Sequence, residues 1–233
     1  MELKQEFAVS GESGLLESQW NNHLLDLTIL KNDFCALRHG QSTANVAQII
    51  SSHPDVAPFQ HGLSPLGNEQ AEAAAQVIVN YYMEQGKYSG ILILTSDYLR
   101  AKETAMCVGA AVLAAGLPLY DRQRRYVIET ALRERWFGDW DGGSDSHYPD
   151  VWKDDAMDPS HTNHQVESVM AVMDRTTSCV VRWDQALTNY LIVLVAHGDV
   201  LQITQTAFAK IDGSKHRTMQ HLETATLRPL TLV

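Results

Sequence analysis

Three short runs of apolar residues predict the strands of a sheet. They are Asp33–Leu37, Gly90–Leu94 and Tyr190–Ala196. Each run is nearly continuously apolar and partly β-branched, which is typical of strands buried on both faces of a parallel sheet. Periodicity alone does not distinguish such short runs from segments of buried helix, which is the alternative interpretation.

The segments between these runs have the polar and apolar spacing of helices. Ser64 is a predicted N-cap, Pro65 occupies the first helical position and Gly86 follows the last turn. Ser96 is the predicted cap of a second helix that ends at Gly116. Further helices are expected over 166–187 and 201–208. Strands that alternate with helices of this length predict right-handed crossovers and an α/β fold, a three-layer α/β/α sandwich with a mostly parallel central sheet.

A length of 233 residues predicts one domain with an insertion rather than two independent domains. We expect residues 1–31 to be an N-terminal extension and residues 32–233 to form the domain. The stretch over about 138–164 is rich in Asp, His, Gly and Pro, which favours an insertion over one end of the sheet.

Charge and cysteine content narrow the class of protein. The chain has 28 acidic and 18 basic residues, a net charge of −10, which argues against a nucleic-acid or anionic-membrane surface. Any bound anion must therefore be held by a local cluster. Three widely spaced cysteines favour a reducing compartment, and neither a signal peptide nor a long apolar span is found, so we expect a cytoplasmic protein.

The residues that follow the three predicted strands indicate the chemistry. The first strand leads into Arg38-His39-Gly40, the second is followed by Arg100, and the third leads into His197-Gly198. In open α/β sheets ligands bind outside the carboxyl ends of the strands, so two guanidiniums and two imidazoles are directed at one crevice. With helix N-termini beside them, these groups suit a dianionic phosphoryl group and need no metal.

An unprotonated histidine in such a crevice could act as a nucleophile and form a phosphohistidine, which divides hydrolysis into two displacements. An isolated Arg-His-Gly after a strand is more often a solvated loop. The convergence of three strand ends makes the two interpretations about equal.

The sequence resembles the histidine phosphatase superfamily, which includes the cofactor-dependent phosphoglycerate mutases. Arg38–Asn45 is similar to the signature of that superfamily. Further motifs follow in the order of the family: Gly62–Gly67, Thr95–Ala105, Leu132–Gly142, Glu167-Ser168 and His197-Gly198. The resemblance covers roughly residues 33 to 210.

The resemblance implies a role for each matching catalytic residue. His39 would be the nucleophile, and Arg38, Arg100 and His197 would clamp the phosphoryl group. Glu134 would protonate the leaving oxygen and then accept a proton from water, with a raised pKa.

Further residues are expected near this acid and near the bound phosphate. Glu129 is the alternative acid. The expected phosphate or substrate contacts are Gly40, Gln41, Asn45, Ser64 and Gly198. The aromatic run Trp136, Phe137 and Trp140 is interpreted as local core, with a substrate-stacking wall as the alternative.

Departures from the mutase branch favour hydrolysis. Ala44 replaces the Trp of a Trp-Asn pair, and the loop Ile49–His61 stands where the mutases have a Phe-Thr-Gly-Trp stretch. The alternatives are a phosphoglycerate mutase, which would need bisphosphoglycerate, and a non-catalytic protein that binds a phosphorylated ligand. A binder would not need the acid. Asp199 follows His197-Gly198 and is expected either to raise the pKa of His197 or to disfavour anionic leaving groups.

The expected partner is a small phosphorylated substrate, with no nucleic acid and no membrane, and the chain is a possible homodimer. No metal is expected, because five further histidines lack the spacing of a metal site and are predicted to be solvated, with His61 the one expected to come nearest the pocket. These histidines are His53, His61, His147, His161 and His164.

Overall fold

The computed structural model describes residues 22–233. Most of the predicted N-terminal extension, residues 1–31, therefore lies outside the described residues. The described end of this segment packs against the domain. Leu24 is fully buried in the main core, and the Asn22 amide donates to the Ala207 carbonyl at 2.9 Å.

A five-stranded sheet forms the centre of the described part of the chain, in the order β3-β2-β4-β1-β5. Its strands are β1 (Asp33–Arg38), β2 (Gly90–Thr95), β3 (Val127–Ile128), β4 (Tyr190–Ala196) and β5 (Leu227–Leu230). β4 pairs in parallel with β1 and β2, β2 pairs in parallel with β3, and β5 is antiparallel to β1. The three predicted strands are confirmed, whereas the edge strands β3 and β5 were not predicted.

Helices cover both faces of this sheet. They are α1 (Thr43–Ala47), α2 (Pro65–Gln85), α3 (Leu99–Ala114), α4 (Tyr148–Met157), α5 (Val169–Ala186) and α6 (Gly198–Phe208). Phe34 and Ala36 of β1 face the core shared with α5 and α6, while Cys35 and Leu37 face the core shared with α2 and α3. This alternation places one helical layer on each side, and the predicted three-layer α/β/α sandwich is confirmed.

The ends of two helices test the predicted caps. Ser64 caps α2, where its Oγ accepts the backbone N–H of Gly67 at 3.0 Å, and Gly86 ends the helix at a φ of +61°. The predicted cap Ser96 is wrong, because α3 begins at Leu99 after the N-cap Tyr98. The Ser96 hydroxyl lies 2.9 Å from His197 Nε2 instead, so a contact between two strand ends replaces the local cap.

Short helical turns fill the region that the sequence predicts as an insertion, about 138–164. It contains 3-10 turns at Gly138–Trp140, Asp145–His147 and Asn163–Gln165, with α4 between the last two. Phe137 is fully buried beside Ile50, Val151 and Val166 in a small separate core. Two further 3-10 segments, Thr130–Leu132 and Gly213–Thr218, lie outside this region. Among the described helices we find none both long and apolar enough to cross a membrane.

Candidate active site

The carboxyl ends of β1, β2 and β4 bring the predicted catalytic side chains together. His39 follows β1, Arg100 lies in the first turn of α3 after β2, and His197 follows β4. Arg100 Nε lies 3.1 Å from His39 Nε2, and the rings of His39 and His197 are 5.1 Å apart between centroids. All three side chains are buried. The parallel register of the sheet therefore builds one cluster from residues up to 158 positions apart in the sequence.

The surroundings of His39 fix its tautomer. Its Nδ1 lies 2.7 Å from the Gly40 carbonyl oxygen, which can only accept, so Nδ1 carries the hydrogen. Burial, and then the positive charges of Arg100 and Arg38, hold the pKa of His39 well below its usual range. The ring is therefore neutral near pH 7, with its lone pair on Nε2, the atom that faces Arg100.

Three buried nitrogen atoms of this cluster have no hydrogen-bond partner among the described residues. They are Arg38 Nε, Arg100 Nη1 and His197 Nδ1. Both guanidiniums are anchored at their other atoms: Arg38 Nη1 donates to the Leu222 carbonyl at 2.9 Å, and Arg100 Nη2 donates to the Ser51 carbonyl at 2.9 Å. A buried donor without an acceptor is costly, so the three donors mark a place prepared for oxygen atoms.

His197 contributes a neutral donor. Its pKa lies well below the usual range because of burial and the neighbouring charge of Arg100. Ser96 Oγ accepts the backbone N–H of Tyr98 at 3.2 Å, and its own hydrogen is free to donate to His197 Nε2. That arrangement leaves the hydrogen of His197 on Nδ1, the atom without a partner.

The N-terminus of α6 adds backbone donors at the same place. Its N-cap is His197, whose side chain makes no capping hydrogen bond, so the first N–H groups of the helix stay available. A Cβ at Gly198 would lie only 3.3 Å from the Arg38 guanidinium carbon. Glycine at this position therefore lets Arg38 lie against the helix end.

Glu134 lines the pocket above these donors. Its Oε1 accepts the backbone N–H of Arg135 at 3.0 Å. Burial, and then the charge of Asp199, raise the pKa of Glu134 to about 7, so the carboxyl can hold or release a proton near neutral pH. The alternative acid Glu129 is instead bonded to Arg182 at 2.8 Å and to the Trp183 indole at 2.7 Å.

The predicted substrate contacts divide into two groups. Asn45 and Gly198 line the pocket, although the Asn45 amide oxygen also accepts the Ser42 hydroxyl at 2.9 Å. Gln41 and Ser64 contact each other, since the Ser64 hydroxyl donates to Gln41 Oε1 at 2.7 Å, and neither lines the pocket. Gly40 also lies outside the pocket lining, where its N–H donates to Thr104 Oγ1 at 3.1 Å. These three positions fix the loop after β1 against its neighbours rather than facing the pocket.

The outer wall of the pocket comes from residues that the sequence does not predict as site residues. They are Asp145, Tyr148, Trp152, Arg217 and His221. The pocket aromatics are thus Tyr148 and Trp152, whereas Phe137 of the aromatic run is buried in local core, as predicted for it. The wall joins the predicted insertion to the C-terminal segment, and no local motif links those two stretches of sequence.

Asp199 does not raise the pKa of His197, which lies below its usual range. The Asp199 carboxylate instead accepts two other hydrogen bonds, from Arg135 Nη1 at 3.2 Å and from the Trp152 indole N–H at 2.9 Å. Its charge acts on Glu134 instead, where it contributes to the raised pKa.

Two of the remaining histidines have clear structural partners. His161 was predicted to be solvated, which is wrong: it is buried, with Nε2 at 2.8 Å from Asp155. His61 Nδ1 lies 2.8 Å from the hydroxyl of Ser51, a pocket-lining residue. Within residues 22–233 no group of three or more His, Cys, Asp or Glu side chains is arranged to hold a metal ion.

Comparison with known proteins gives a consistent result. The profile of the histidine phosphatase superfamily (branch 1) matches residues 34–232. A glucosyl-3-phosphoglycerate phosphatase of Mycolicibacterium vanbaalenii is 34% identical over 180 residues, which are 71% of this chain and 68% of that protein. The adenosylcobalamin/alpha-ribazole phosphatase of Escherichia coli is 28% identical over 193 residues, 79% of this chain and 81% of that one.

Solved structures agree with this assignment. A mycobacterial glucosyl-3-phosphoglycerate phosphatase in complex with VO3 matches with a TM-score of 0.65 and 27% identity, over 84% of this chain and 91% of that one. The chain therefore belongs to the histidine phosphatase superfamily, as a phosphoglycerate mutase-like hydrolase.

Proposed function

We propose that this chain hydrolyses small phosphomonoesters with His39 as the nucleophile and Glu134 as the proton donor. One observation carries the proposal. In the buried cluster that holds His39, whose unprotonated Nε2 accepts from Arg100 Nε at 3.1 Å, three further donors on Arg38, Arg100 and His197 have no partner among the described residues. A phosphoryl group with three equatorial oxygens is the ligand that this arrangement fits best.

In the first step the lone pair on His39 Nε2 attacks phosphorus, and the bond from phosphorus to the ester oxygen breaks. The proton of the Glu134 carboxyl passes to the leaving oxygen, which departs as an alcohol. Arg38, Arg100 and His197 donate to the three equatorial oxygens. The phosphorylated ring keeps the Nδ1 hydrogen, and its positive charge is stabilised by the Gly40 carbonyl at 2.7 Å.

In the second step the Glu134 carboxylate takes a proton from water, whose oxygen attacks phosphorus. The phosphorus–nitrogen bond breaks, and its electron pair returns to His39 Nε2. Inorganic phosphate leaves, while Glu134 is again protonated and His39 is neutral. A carboxyl with a pKa near 7 is suited to both directions of transfer, because neither of its states is strongly disfavoured at neutral pH.

The size of the pocket supports a small substrate. Its cavity of about 240 Å³ is below the range of about 300–1,000 Å³ that is common for drug-sized ligands. Both phosphatases described above act, by their names, on phosphorylated metabolites, which supports hydrolysis over the mutase alternative. The reaction proposed here needs neither a metal nor bisphosphoglycerate.

The cellular compartment is part of the same proposal. Cys35, Cys107 and Cys179 are all free thiols in the structure. Free cysteines are usual in reducing compartments, which supports a cytoplasmic enzyme. The possible homodimer stays a prediction.

The test is a screen of several dozen phosphorylated metabolites and p-nitrophenyl phosphate for release of inorganic phosphate. The His39→Ala protein serves as the blank, and each assay is run with and without 2,3-bisphosphoglycerate and with a chelator. We expect His39-dependent release that neither addition changes. A requirement for the bisphosphate, or unchanged release by His39→Ala, would overturn the proposal.

A further inference from the structure

The outer wall of the pocket is built around a stacked Trp152. Tyr148 and Trp152 lie one helical turn apart on α4, and their rings stack at 5.5 Å with an interplanar angle of 5°. The Arg217 guanidinium carbon lies 3.6 Å from the Trp152 ring centroid. Stacking holds the guanidinium plane in place while its edge donors stay free to bond, and 27% of the Arg217 side chain is exposed.

Asp199 supplies a fixed negative charge to this wall. Its side chain is only 5% exposed and lies in the first turn of α6. It accepts from Trp152 and Arg135, and its Oδ1 is 3.6 Å from Arg217 Nη1. Arg135 is also bound by both oxygens of Asp155, at 2.7 Å each, so its charge is shared between two acids. The charge of Arg217 is thus matched by that of Asp199.

The residues that line the pocket have no uncompensated positive charge for a second anion. Three guanidiniums, of Arg38, Arg100 and Arg217, line the pocket together with the carboxylates of Asp145 and Asp199, and the phosphoryl group brings a dianion. Glu134, the third acid of the lining, is neutral when it holds the proton for the first step. The pocket histidines do not add positive charge, since burial lowers the pKa of His39 and of His221. With phosphate bound, negative charges already outnumber positive ones, and another anion beside Asp199 would be repelled.

We propose that the leaving group of the natural substrate is an uncharged, hydroxyl-bearing molecule such as a polyol or sugar, and that Asp199 is the residue that disfavours a leaving group with a second negative charge. The wall offers what hydroxyls need: carboxylate oxygens that accept, Arg217 donors, and aromatic side chains against the carbon skeleton. This inference rests on the proposed phosphatase function and specifies its substrate class.

The experiment compares two phosphomonoesters that differ at one end. Glycerol 3-phosphate ends in a hydroxymethyl group where 3-phosphoglycerate has a carboxylate. Each is used as a competitor of p-nitrophenyl phosphate hydrolysis, so the competition constant is obtained whether or not the compound is itself hydrolysed. For the wild-type protein we expect glycerol 3-phosphate to compete at least about fivefold better, as one like-charge contact predicts.

Two substitutions in the wall have opposite expected effects on this preference. Asp199→Asn keeps the shape and the acceptor for Trp152 but removes the charge, so the preference for glycerol 3-phosphate falls about fivefold, to near unity. Arg217→Met removes the matching positive charge, so the preference rises. Asp150→Asn is the matched control, because Asp150 is an exposed acid on α4 that does not line this pocket. The ratio cancels any effect of Asp199 on Glu134, which both competitors share.

The outcomes separate this inference from the phosphatase assignment. If p-nitrophenyl phosphate is not hydrolysed in a His39-dependent way, the function itself is wrong and the inference is overturned with it. If hydrolysis depends on His39, three results overturn the inference alone: equal or better competition by 3-phosphoglycerate, an unchanged preference in Asp199→Asn, or no competition by either compound. A shift of the preference in opposite directions in the two wall variants supports it.

Discussion

Replacement of Glu134 by Gln tests the acid at the centre of the proposed reaction. The substitution keeps the side-chain shape and the acceptor for the Arg135 N–H, which lies at 3.0 Å, so the fold should be retained. It removes only the transferable proton. An alkyl phosphate needs that proton because its leaving alkoxide is strongly basic, whereas the nitrophenolate of an aryl phosphate leaves without it.

The size of the effect follows from general acid catalysis, which contributes about 10²–10⁴ in rate. We expect kcat/KM for an alkyl phosphate such as glycerol 3-phosphate to fall about 10³-fold in Glu134→Gln, and kcat/KM for p-nitrophenyl phosphate to fall less than about tenfold. Loss of the base that activates water should then slow the second step. Aryl phosphate should therefore give a burst of nitrophenolate equal to the enzyme concentration, followed by slow turnover.

The dependence of the rate on pH is a second test of Glu134 as the acid. The pKa of Glu134 is raised to about 7, so the carboxyl keeps its proton below that pH and loses it above. For the wild-type enzyme, kcat/KM on the alkyl phosphate should decline about tenfold per pH unit above this pKa. In Glu134→Gln this decline should be absent, since the amide does not titrate.

Glu129→Gln is the matched control for these measurements. Glu129 is also a buried acid, but its oxygens are bound by Arg182 and Trp183 and it does not line the pocket. Its replacement should leave the ratio of alkyl to aryl activity unchanged. Equal losses on alkyl and aryl phosphates in Glu134→Gln, or a selective loss on the alkyl phosphate in Glu129→Gln, would refute the assignment of the acid.

Three further predictions concern stability and accessibility. Asp155→Asn should lower the free energy of unfolding by about 3–5 kcal/mol in urea titrations, because it leaves the fully buried Arg135 without its bidentate partner; wild-type stability would contradict this. Gly67→Ala should lower stability by about 1–3 kcal/mol, since the new Cβ would lie 1.9 Å from the Gln41 carbonyl oxygen, and an unchanged melting temperature would argue against that contact. A thiol reagent at pH 8 should modify Cys107 alone in the folded protein, because Cys35 and Cys179 are buried, and all three cysteines after denaturation. Rapid labelling of all three cysteines without denaturant would contradict this.

The central strands and the cluster of catalytic side chains at their ends could be predicted because both depend on local sequence signals. A continuous apolar run such as Tyr190–Ala196 indicates a buried strand, and the residues just after it must lie at the carboxyl edge of a parallel sheet. The convergence of Arg100 and His197 with His39 follows from that rule alone.

The edge strands lacked such signals. β3 has only two residues, and β5 contains Pro229, which normally argues against a strand. Pro229 is tolerated because β5 lies at the edge of the sheet, where it pairs with β1 only. Neither strand has the length or the alternation from which a sequence pattern could be recognised.

The outer wall of the pocket and the polar network behind it could not be found from sequence because their contacts are long-range. Asp155 accepts hydrogen bonds from Arg135, His161 and His216, which the fold alone brings together. Ser96 shows the converse case. Its sequence position fits a helix cap, yet the hydroxyl is directed at His197 by the neighbouring strand end.

Identification of the phosphorylated residue is the sharpest test of His39 as the nucleophile. Enzyme mixed with p-nitrophenyl phosphate is quenched in alkali within the first turnover, since a phosphohistidine survives base but not acid, and the site is mapped by mass spectrometry of peptides. Glu134→Gln, in which the intermediate should accumulate, provides the strongest signal, and His39→Ala is the blank. We expect one phosphoryl group, on His39 alone, in a yield equal to the nitrophenolate burst. Phosphate release with no covalent intermediate in either protein, or a phosphoryl group on another residue, would contradict it.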